Sequence, residues 1–308
     1  MARRRKGLPV HGWLIFDKPK GMTSTQAVTR LRHLYGAQKA GHAGTLDPLA
    51  TGVLPVAFGE ATKTVPFAVE GNKQYRFTVR FGEATDTDDA EGAIVASSDV
   101  RPTRVEIEAA LPRFVGEISQ VPPRYSALKV GGARAYDLAR EDQDFELAAR
   151  PALIDSLELI DMPDRDHCVI EAACGKGTYV RALARDLGEA LGSLAHVTEL
   201  RRTKVGPFSV EAAISLAKLE ELGHSAAGRD ALLGVLKPVQ TALDDIPALA
   251  ISGQDAARLK RGQPVLLRGR DAPILKGPVY ATSRGSLVAV GEVSQGELRP
   301  TRVFNLPG

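Results

Sequence analysis

Along Tyr75–Phe81 the side chains alternate without a break: Tyr75, Phe77, Val79 and Phe81 are apolar, while Arg76, Thr78 and Arg80 between them are polar or basic. A period of two marks a strand whose successive side chains point to opposite faces, one onto a core and one towards solvent. Such a strand is not stable alone and needs neighbouring strands and a covering layer. The chain offers both. Trp13–Phe16 is a short apolar run closed by Pro19 and Gly21, Val53–Phe58 is another, and strand patterns recur near 152–160 and 167–173. Thr23 with Gln26 and Thr103 with Glu106 form capping boxes. The first opens a helix bearing Val28, Leu31 and Leu34 with a Gly36 stop, and the second opens one that reaches Leu111. Val180, Leu183, Leu187 and Leu191 share a helical face that ends at Gly192, and a further helix is expected over Val210–Leu222. The fold class is therefore α+β.

Two units are expected: residues 1–245 as the main domain and 246–308 as a small all-β module, because short strands between Gly/Pro turns fill its length. Within the first, residues 119–145 contain Pro122-Pro123, Gly131-Gly132 and a short helical pattern around Tyr136–Arg140, the marks of a mobile insertion. No apolar run approaches the roughly 20 residues that cross a bilayer. The basic start, Arg3 to Lys6, has no apolar segment behind it, so a cytoplasmic location is expected rather than secretion. Cys168 and Cys174 have a spacing outside the usual zinc patterns and no second pair to complete four ligands; two reduced, buried thiols on one strand face are expected. Net charge is only +3, yet residues 1–50 hold nine lysines and arginines against Asp17 and Asp47. A basic region of this kind suits a polyanionic partner, although charge alone does not separate that from a solvated surface.

The run from Gly41 to Leu54 concentrates conformational control around one carboxylate. Gly41, Gly44 and Gly52 permit close backbone approach, and Pro48 stiffens the turn directly after Asp47. By pattern alone an aspartate in a turn is ordinarily an Asx cap. The acidic tract Asp86–Gly92 fails as a calcium loop, since Ala90 stands at the third ligand position and no suitable glutamate follows. It is expected to be an exposed turn, and no metal site is expected.

The segment Gly44-Thr-Leu-Asp-Pro-Leu-Ala-Thr-Gly-Val-Leu54 resembles the catalytic motif of the tRNA pseudouridine-55 synthases, within the pseudouridine synthase superfamily. Leu14-Ile-Phe-Asp-Lys-Pro-Lys-Gly-Met-Thr-Ser24 resembles that family's opening signature. Tyr75 with Thr85-Asp-Thr-Asp88 resembles its third block, and Gly177-Thr-Tyr-Val-Arg181 through Leu200-Arg-Arg202 its last. The resemblance implies a mixed, mainly antiparallel sheet flanked by helices, with 119–145 as an RNA-clasping thumb and 246–308 as a β-barrel-like RNA-binding module. It implies Asp47 as nucleophile, attacking C1′ or C6 of a flipped uridine, and Arg181 as the charge that keeps it ionised. Tyr75 is implied to stack on the base and to be a candidate for removing the C5 proton, with His42, Tyr179 and Leu200 lining the pocket.

The implied chemistry breaks an N1–C1′ bond and remakes it through C5, with no net redox change, so no cofactor is expected. A carboxylate nucleophile splits a hard step into easier ones, and the target base must leave its stack to be reached. Phosphates would be held by the basic face of 75–81, the run Arg201-Arg-Thr-Lys204 and the N-terminal arginines. The expected partner is the T-arm stem-loop of tRNA, with no membrane and no obligate protein partner. A guide-RNA-dependent dyskerin-type synthase shares Asp47, Tyr75 and Arg181 and is the nearest alternative; Tyr125-Ser-Ala-Leu-Lys129 and Ala135-Tyr136 favour the stand-alone form. An RNA-folding chaperone that acts by binding alone is a second alternative. A glycosidase is a third, and lacks an identifiable second carboxylate.

Overall fold

The computed structural model describes residues 7–126, 128–141, 143–267 and 276–307. The chain opens with β1 (Gly12–Lys18), α1 (Ser24–Leu34), β2 (Ala40–His42) and β3 (Thr51–Phe58), then α2 (Val65–Glu70) and β4 (Lys73–Phe81). A small hairpin of β5 (Glu83–Thr85) and β6 (Ile94–Ser97) precedes α3 (Arg104–Ala110) and β7 (Gly116–Gln120). The insertion contributes β8 (Lys129–Val130), β9 (Ala133–Arg134) and α4 (Ala135–Arg140). The long strands β10 (Arg150–Asp161), β11 (His167–Cys174) and β12 (Ala195–Val205) follow, with α5 (Val180–Ala190) between the last two. Short strands β13 (Phe208–Ser209) and β14 (Ile214–Ser215) lead to α6 (Leu216–His224) and α7 (Gly228–Gly234).

These strands form one ten-stranded sheet in the order β14-β1-β3-β12-β4-β11-β10-β7, with β13 on β12 and β2 on β3. Pairing is antiparallel except at β1/β14 and β3/β12, giving the mixed, mainly antiparallel sheet that was expected. The alternating strand β4 lies centrally, between β12 and β11, where its apolar face is needed on the core. Phe77, Val79 and Phe81 are fully enclosed, with Leu14, Phe16, Leu31, Leu183 and Leu187 in the same cluster. Each such large side chain contributes about 1.5–3 kcal/mol by burial. Both capping boxes form as read, at Thr23/Gln26 and Thr103/Glu106. Cys168 and Cys174 are buried free thiols on the same face of β11, pushed up by burial to about 12 and about 11.

Two expected elements differ. Val210–Leu222 is not one helix: Val210–Ala212 is a single 3-10 turn, Ile214–Ser215 pairs with β1, and α6 starts only at Leu216. The Ser215 hydroxyl accepts the Lys218 amide, a cap that stops the helix from extending backwards. The C-terminal module is also not all-β. Its strands β15 (Ala248–Ala250), β16 (Val265–Leu266), β17 (Gly277–Ser283), β18 (Ser286–Ser294) and β19 (Glu297–Val303) form a curled, open half-barrel in the order β15-β17-β18-β19-β16. Helix α8 (Gly253–Lys260), capped by Ser252, lays Ala256 and Leu259 into its core. The module packs on the main sheet: Trp13, Ile15 and Phe208 share a cluster with Leu287, Val290 and Phe304. The Trp13 indole N–H, enclosed there, is directed at the Thr64 hydroxyl and the Val239 carbonyl. Among the described residues no helix is long and apolar enough to cross a membrane.

Candidate active site

Asp47 stands on the loop between β2 and β3, and almost every turn of that loop is fixed by a buried polar group. The Ala50 amide donates to the Asp47 carbonyl at 3.1 Å, closing a tight turn around Pro48. The Ser24 hydroxyl donates to the Leu46 carbonyl and accepts the Leu46 amide, at 3.0 and 2.9 Å, tying the loop to the start of α1. The loop enters β3 at Gly52, whose φ of +96° suits glycine and where a Cβ would collide with the Arg202 carbonyl.

The Asp47 carboxylate meets Arg181, in the first turn of α5, at 2.9 Å. Arg181 is only 5% exposed at its side chain whereas Asp47 is 38% exposed, so the pair is an enclosed cation facing a carboxylate open to solvent. The guanidinium also donates to the carbonyls of Thr87 and Tyr125 and lies 3.5 Å from Asp89. Its donors are thus shared among three segments that are far apart in sequence.

Of the other expected site residues, Tyr75 and Tyr179 lie in the field of the Asp47 charge, whereas His42 is linked to the site through the Arg202 charge and Leu200 through strand register. Tyr75 lies directly opposite Arg202 in the β4/β12 register, and Leu200 opposite Phe77, on the side-chain face that supports the site. Burial pushes the Tyr75 phenol above its ordinary value, with the Arg202 charge opposing. That direction favours a neutral, stacking ring over a resting phenolate. Burial likewise raises the Tyr179 phenol, and the Asp47 charge adds to it. Tyr179 is fixed through its backbone, which exchanges two hydrogen bonds with the Gln120 amide side chain at 2.9 and 3.1 Å. His42 ends β2, half-buried, with Nδ1 enclosed and unpartnered. Burial, and then the Arg202 charge, lower its imidazole and keep it neutral near pH 7.

Three side chains at the site were not singled out as site residues from sequence. Asp89 is 3% exposed, and one carboxylate oxygen accepts from the Thr87 hydroxyl and the Glu91 amide while the other faces Arg181. The tract 86–92 is therefore not simply an exposed turn: Asp89 is enclosed and Asp88 is paired with Arg185 at 2.9 Å. Lys18 is fully enclosed at the end of β1, donating to the carbonyls of Pro19, Met22 and Pro48; burial lowers its ammonium to about 8, with the Asp47 charge opposing. Arg202 was grouped with phosphate-binding cations, yet it is 1% exposed and its guanidinium is spent on main-chain carbonyls. The only signal for these roles was position in or beside the family blocks: Lys18 in the opening one, Asp89 directly after the third and Arg202 at the end of the last. A buried lysine or arginine has no periodicity of its own.

Of the other cations expected to hold phosphate, Arg76 faces Glu171 at 3.8 Å, Arg80 faces Glu83 at 2.9 Å and Arg201 meets Asp17 through two bonds of 3.0 Å, whereas Lys204 is exposed on β12. Arg3 to Lys6 lie outside the described residues. Among the described residues no cluster of three or more His, Cys, Asp or Glu side chains is arranged to hold a metal ion.

Comparison with known proteins places these features in a family. Residues 32–180 match the model described as TruB family pseudouridylate synthase (N terminal domain), and residues 181–244 match the tRNA pseudouridylate synthase B C-terminal domain. The chain is 60% identical over 306 residues to tRNA pseudouridine synthase B of Bradyrhizobium diazoefficiens, covering 99% of this chain and 89% of that one. It is 54% identical over 313 residues to the protein of the same name in Caulobacter vibrioides, covering 99% and 100%. Among solved structures, a chain of a Cbf5-Nop10-Gar1 complex superposes with a TM-score of 0.74 at 25% identity, over 99% of this chain and 90% of that one. A chain of an H/ACA RNP bound to a substrate RNA containing 2'-deoxyuridine gives the same score at 23% identity, over 99% and 92%, a likeness of fold.

Proposed function

Since the chain belongs to the TruB family of pseudouridylate synthases, we propose that it converts uridine 55 in the T-loop of tRNA to pseudouridine, without a guide RNA, using Asp47 as nucleophile. It is an isomerase that acts on uridine in tRNA. The observation that carries the assignment to Asp47 is its 2.9 Å pairing with the enclosed Arg181 on a loop held from several sides. An enclosed guanidinium keeps the carboxylate anionic as an incoming base displaces water. Attack at C1′ or at C6 makes the same demand on the site: an anion on a rigid mount beside a flipped base. The N1–C1′ bond breaks, the base turns, C5–C1′ forms, the bond to the Asp47 carboxylate is released, the C5 proton leaves and N1 gains one. Tyr75 stacks on the base while Leu200, Tyr179 and His42 line the space around it. The reaction is redox-neutral and calls for no cofactor.

Residues 1–245 form the catalytic unit, 119–145 its RNA clasp, and 246–308 an RNA-binding-like module. The clasp carries Arg124, Arg134 and Arg140 beside the aromatic rings of Phe145 and Tyr136, surfaces suited to RNA backbone and bases. These features support stand-alone action without an obligate protein partner; a cytoplasmic location belongs to the same proposal. A folding chaperone that only binds would not need a carboxylate paired with an enclosed arginine, since enclosing that cation costs desolvation energy. A glycosidase needs a second free carboxyl, and the neighbouring Asp89 is fully engaged.

The test is to incubate the purified chain with an unmodified T-arm stem-loop transcript alone and to map pseudouridine by chemical labelling. Modification at position 55 is expected, and Asp47→Asn should abolish it while RNA binding persists. Modification that appears only with an added guide ribonucleoprotein would favour the dyskerin-type alternative.

A further inference from the structure

Arg202 is among the largest fully enclosed side chains of the protein, and it is aimed at the backbone around Asp47. Its Nε donates to the carbonyl of Val53 at 2.9 Å, one Nη to that of Thr45 at 3.2 Å and the other to that of Gly44 at 3.0 Å. The first acceptor follows Asp47 and the other two precede it, so one planar group spans both limbs of the loop. Across β12/β4 Arg202 is the register partner of Tyr75, and across β12/β3 it is the partner of Gly52. One residue therefore joins the backbone carrying the candidate nucleophile to the strand carrying the candidate stacking ring.

We propose that Arg202 is a positioning residue for the reaction, fixing the Asp47 loop relative to Tyr75 and Leu200, and is not an RNA phosphate contact. This rests on the reading of Asp47 as nucleophile. The planar fork matters because its three N–H directions are set by one rigid group. A lysine placed there retains the charge but cannot hold three carbonyls in that fixed geometry. The low exposure of the side chain removes it from the surface that meets phosphate. The electrostatic pattern agrees: Arg202 acts on the titration of Tyr75, His42 and Lys18, all of which border the site.

The experiment compares wild type, Arg202→Met, Arg202→Lys and Asp47→Asn as full-length chains on the T-arm stem-loop. It measures Kd at two salt concentrations and the saturating single-turnover rate per folded molecule. A displaced loop predicts a rate loss of about 100-fold in Arg202→Met, the scale of a 1 Å misplacement, with Kd and its salt dependence close to wild type. Arg202→Lys should fall between the two. If Arg202→Met does not fold, Arg202→Lys carries the test alone: a lowered saturating rate at unchanged Kd supports positioning. A weakened Kd with a shallower salt slope and an unchanged rate would make Arg202 a phosphate contact and overturn the proposal. Wild-type rate and Kd in a folded Arg202 variant would also overturn it. Asp47→Asn separates the two readings. Activity there removes the nucleophile assignment, whereas an inactive Asp47→Asn beside a fully active Arg202 variant removes only the positioning role.

Discussion

Two loops meet at Arg181 and are built differently. The Asp47 loop is anchored by the side chains of Ser24, Lys18 and Arg202, each 3% exposed or less, acting on the backbone at Leu46, Pro48, Gly44, Thr45 and Val53. The 119–145 insertion faces it through one hydrogen bond from Arg181 to the Tyr125 carbonyl at 2.9 Å. Beyond its root, held by Gln120 and by Arg185 donating to Val121, it consists of a two-residue-per-strand hairpin, a six-residue helix and two exposed arginines over the half-buried Tyr136 ring. The proposed chemistry at C1′ or C6 tolerates little displacement, and this loop is fixed by buried polar groups whose loss leaves unpaired carbonyls. The proposed grip on an RNA surface calls for reach and adaptability, which exposed arginines beside half-buried rings supply.

The sharpest way to break this contrast is to remove the guanidinium the two loops share. Arg181→Met should lower the saturating single-turnover rate by about 100-fold, near 2.7 kcal/mol of barrier. It should also destabilise the fold, because Asp89 is left enclosed without its cation. Arg181→Lys should be intermediate, keeping the charge without the fork. An unchanged rate with a weaker, salt-dependent Kd would instead make Arg181 part of the clasp.

A smaller effect is expected on the opposite side. Replacing residues 128–141 by a short Gly/Ser linker should weaken T-arm binding about tenfold, near 1.4 kcal/mol, and leave the saturating rate nearly unchanged. Only Ala135 and Ala139 of that stretch are buried, so the thermal midpoint should move little. A large drop in saturating rate at modest change in Kd would show that the insertion helps to build the catalytic geometry.

The last effect concerns Lys18 and falls on stability rather than on the reaction. Its ammonium, lowered to about 8 by burial, releases its proton in the folded chain well before it does in the unfolded chain, at 10.5. Its contribution to stability is therefore present above pH 10.5 and is lost as the pH falls through 8. Urea unfolding of wild type and Lys18→Met should show a wild-type-minus-variant difference that grows between pH 8 and 10, by less than about 1.4 kcal/mol per pH unit. A flat difference would mean that Lys18 is not held in a desolvated site.

The strands and the main helices were legible because their signals are local. Alternation at Tyr75–Phe81 required a half-buried strand, and the Thr23 and Thr103 boxes required helix starts there. Helix α8 was missed because eight residues with only Ala256 and Leu259 buried carry little periodicity amid short strands. The Val210–Leu222 reading failed because Ile214 pairs with Phe16, a contact nearly two hundred residues distant in sequence. At the candidate site, Asp47, Tyr75 and Arg181 were singled out by their motifs, and the structure pairs the first with the third. Asp89, Lys18 and Arg202 were not, since their burial depends on which strands and turns close over them.

What the sequence determined by itself was the set of elements and the chemical identities at the site: a carboxylate on a proline-stiffened glycine loop, an arginine in the first helical turn after Gly177, and a tyrosine on the apolar face of a strand. Those follow from side-chain periodicity, capping and motif, all of which are properties of neighbouring residues. Only the tertiary structure decided which of several arginines face water and which are enclosed. Arg76, Arg80 and Arg201 have their charges met by carboxylates at the surface, whereas Arg181 and Arg202, of the same residue type, are withdrawn into the site. The reason is physical: an arginine can be enclosed only where converging chain segments bring enough acceptors to its guanidinium. For Arg202 these are the carbonyls of Gly44, Thr45 and Val53, and for Arg181 the carbonyls of Thr87 and Tyr125 with the Asp47 carboxylate.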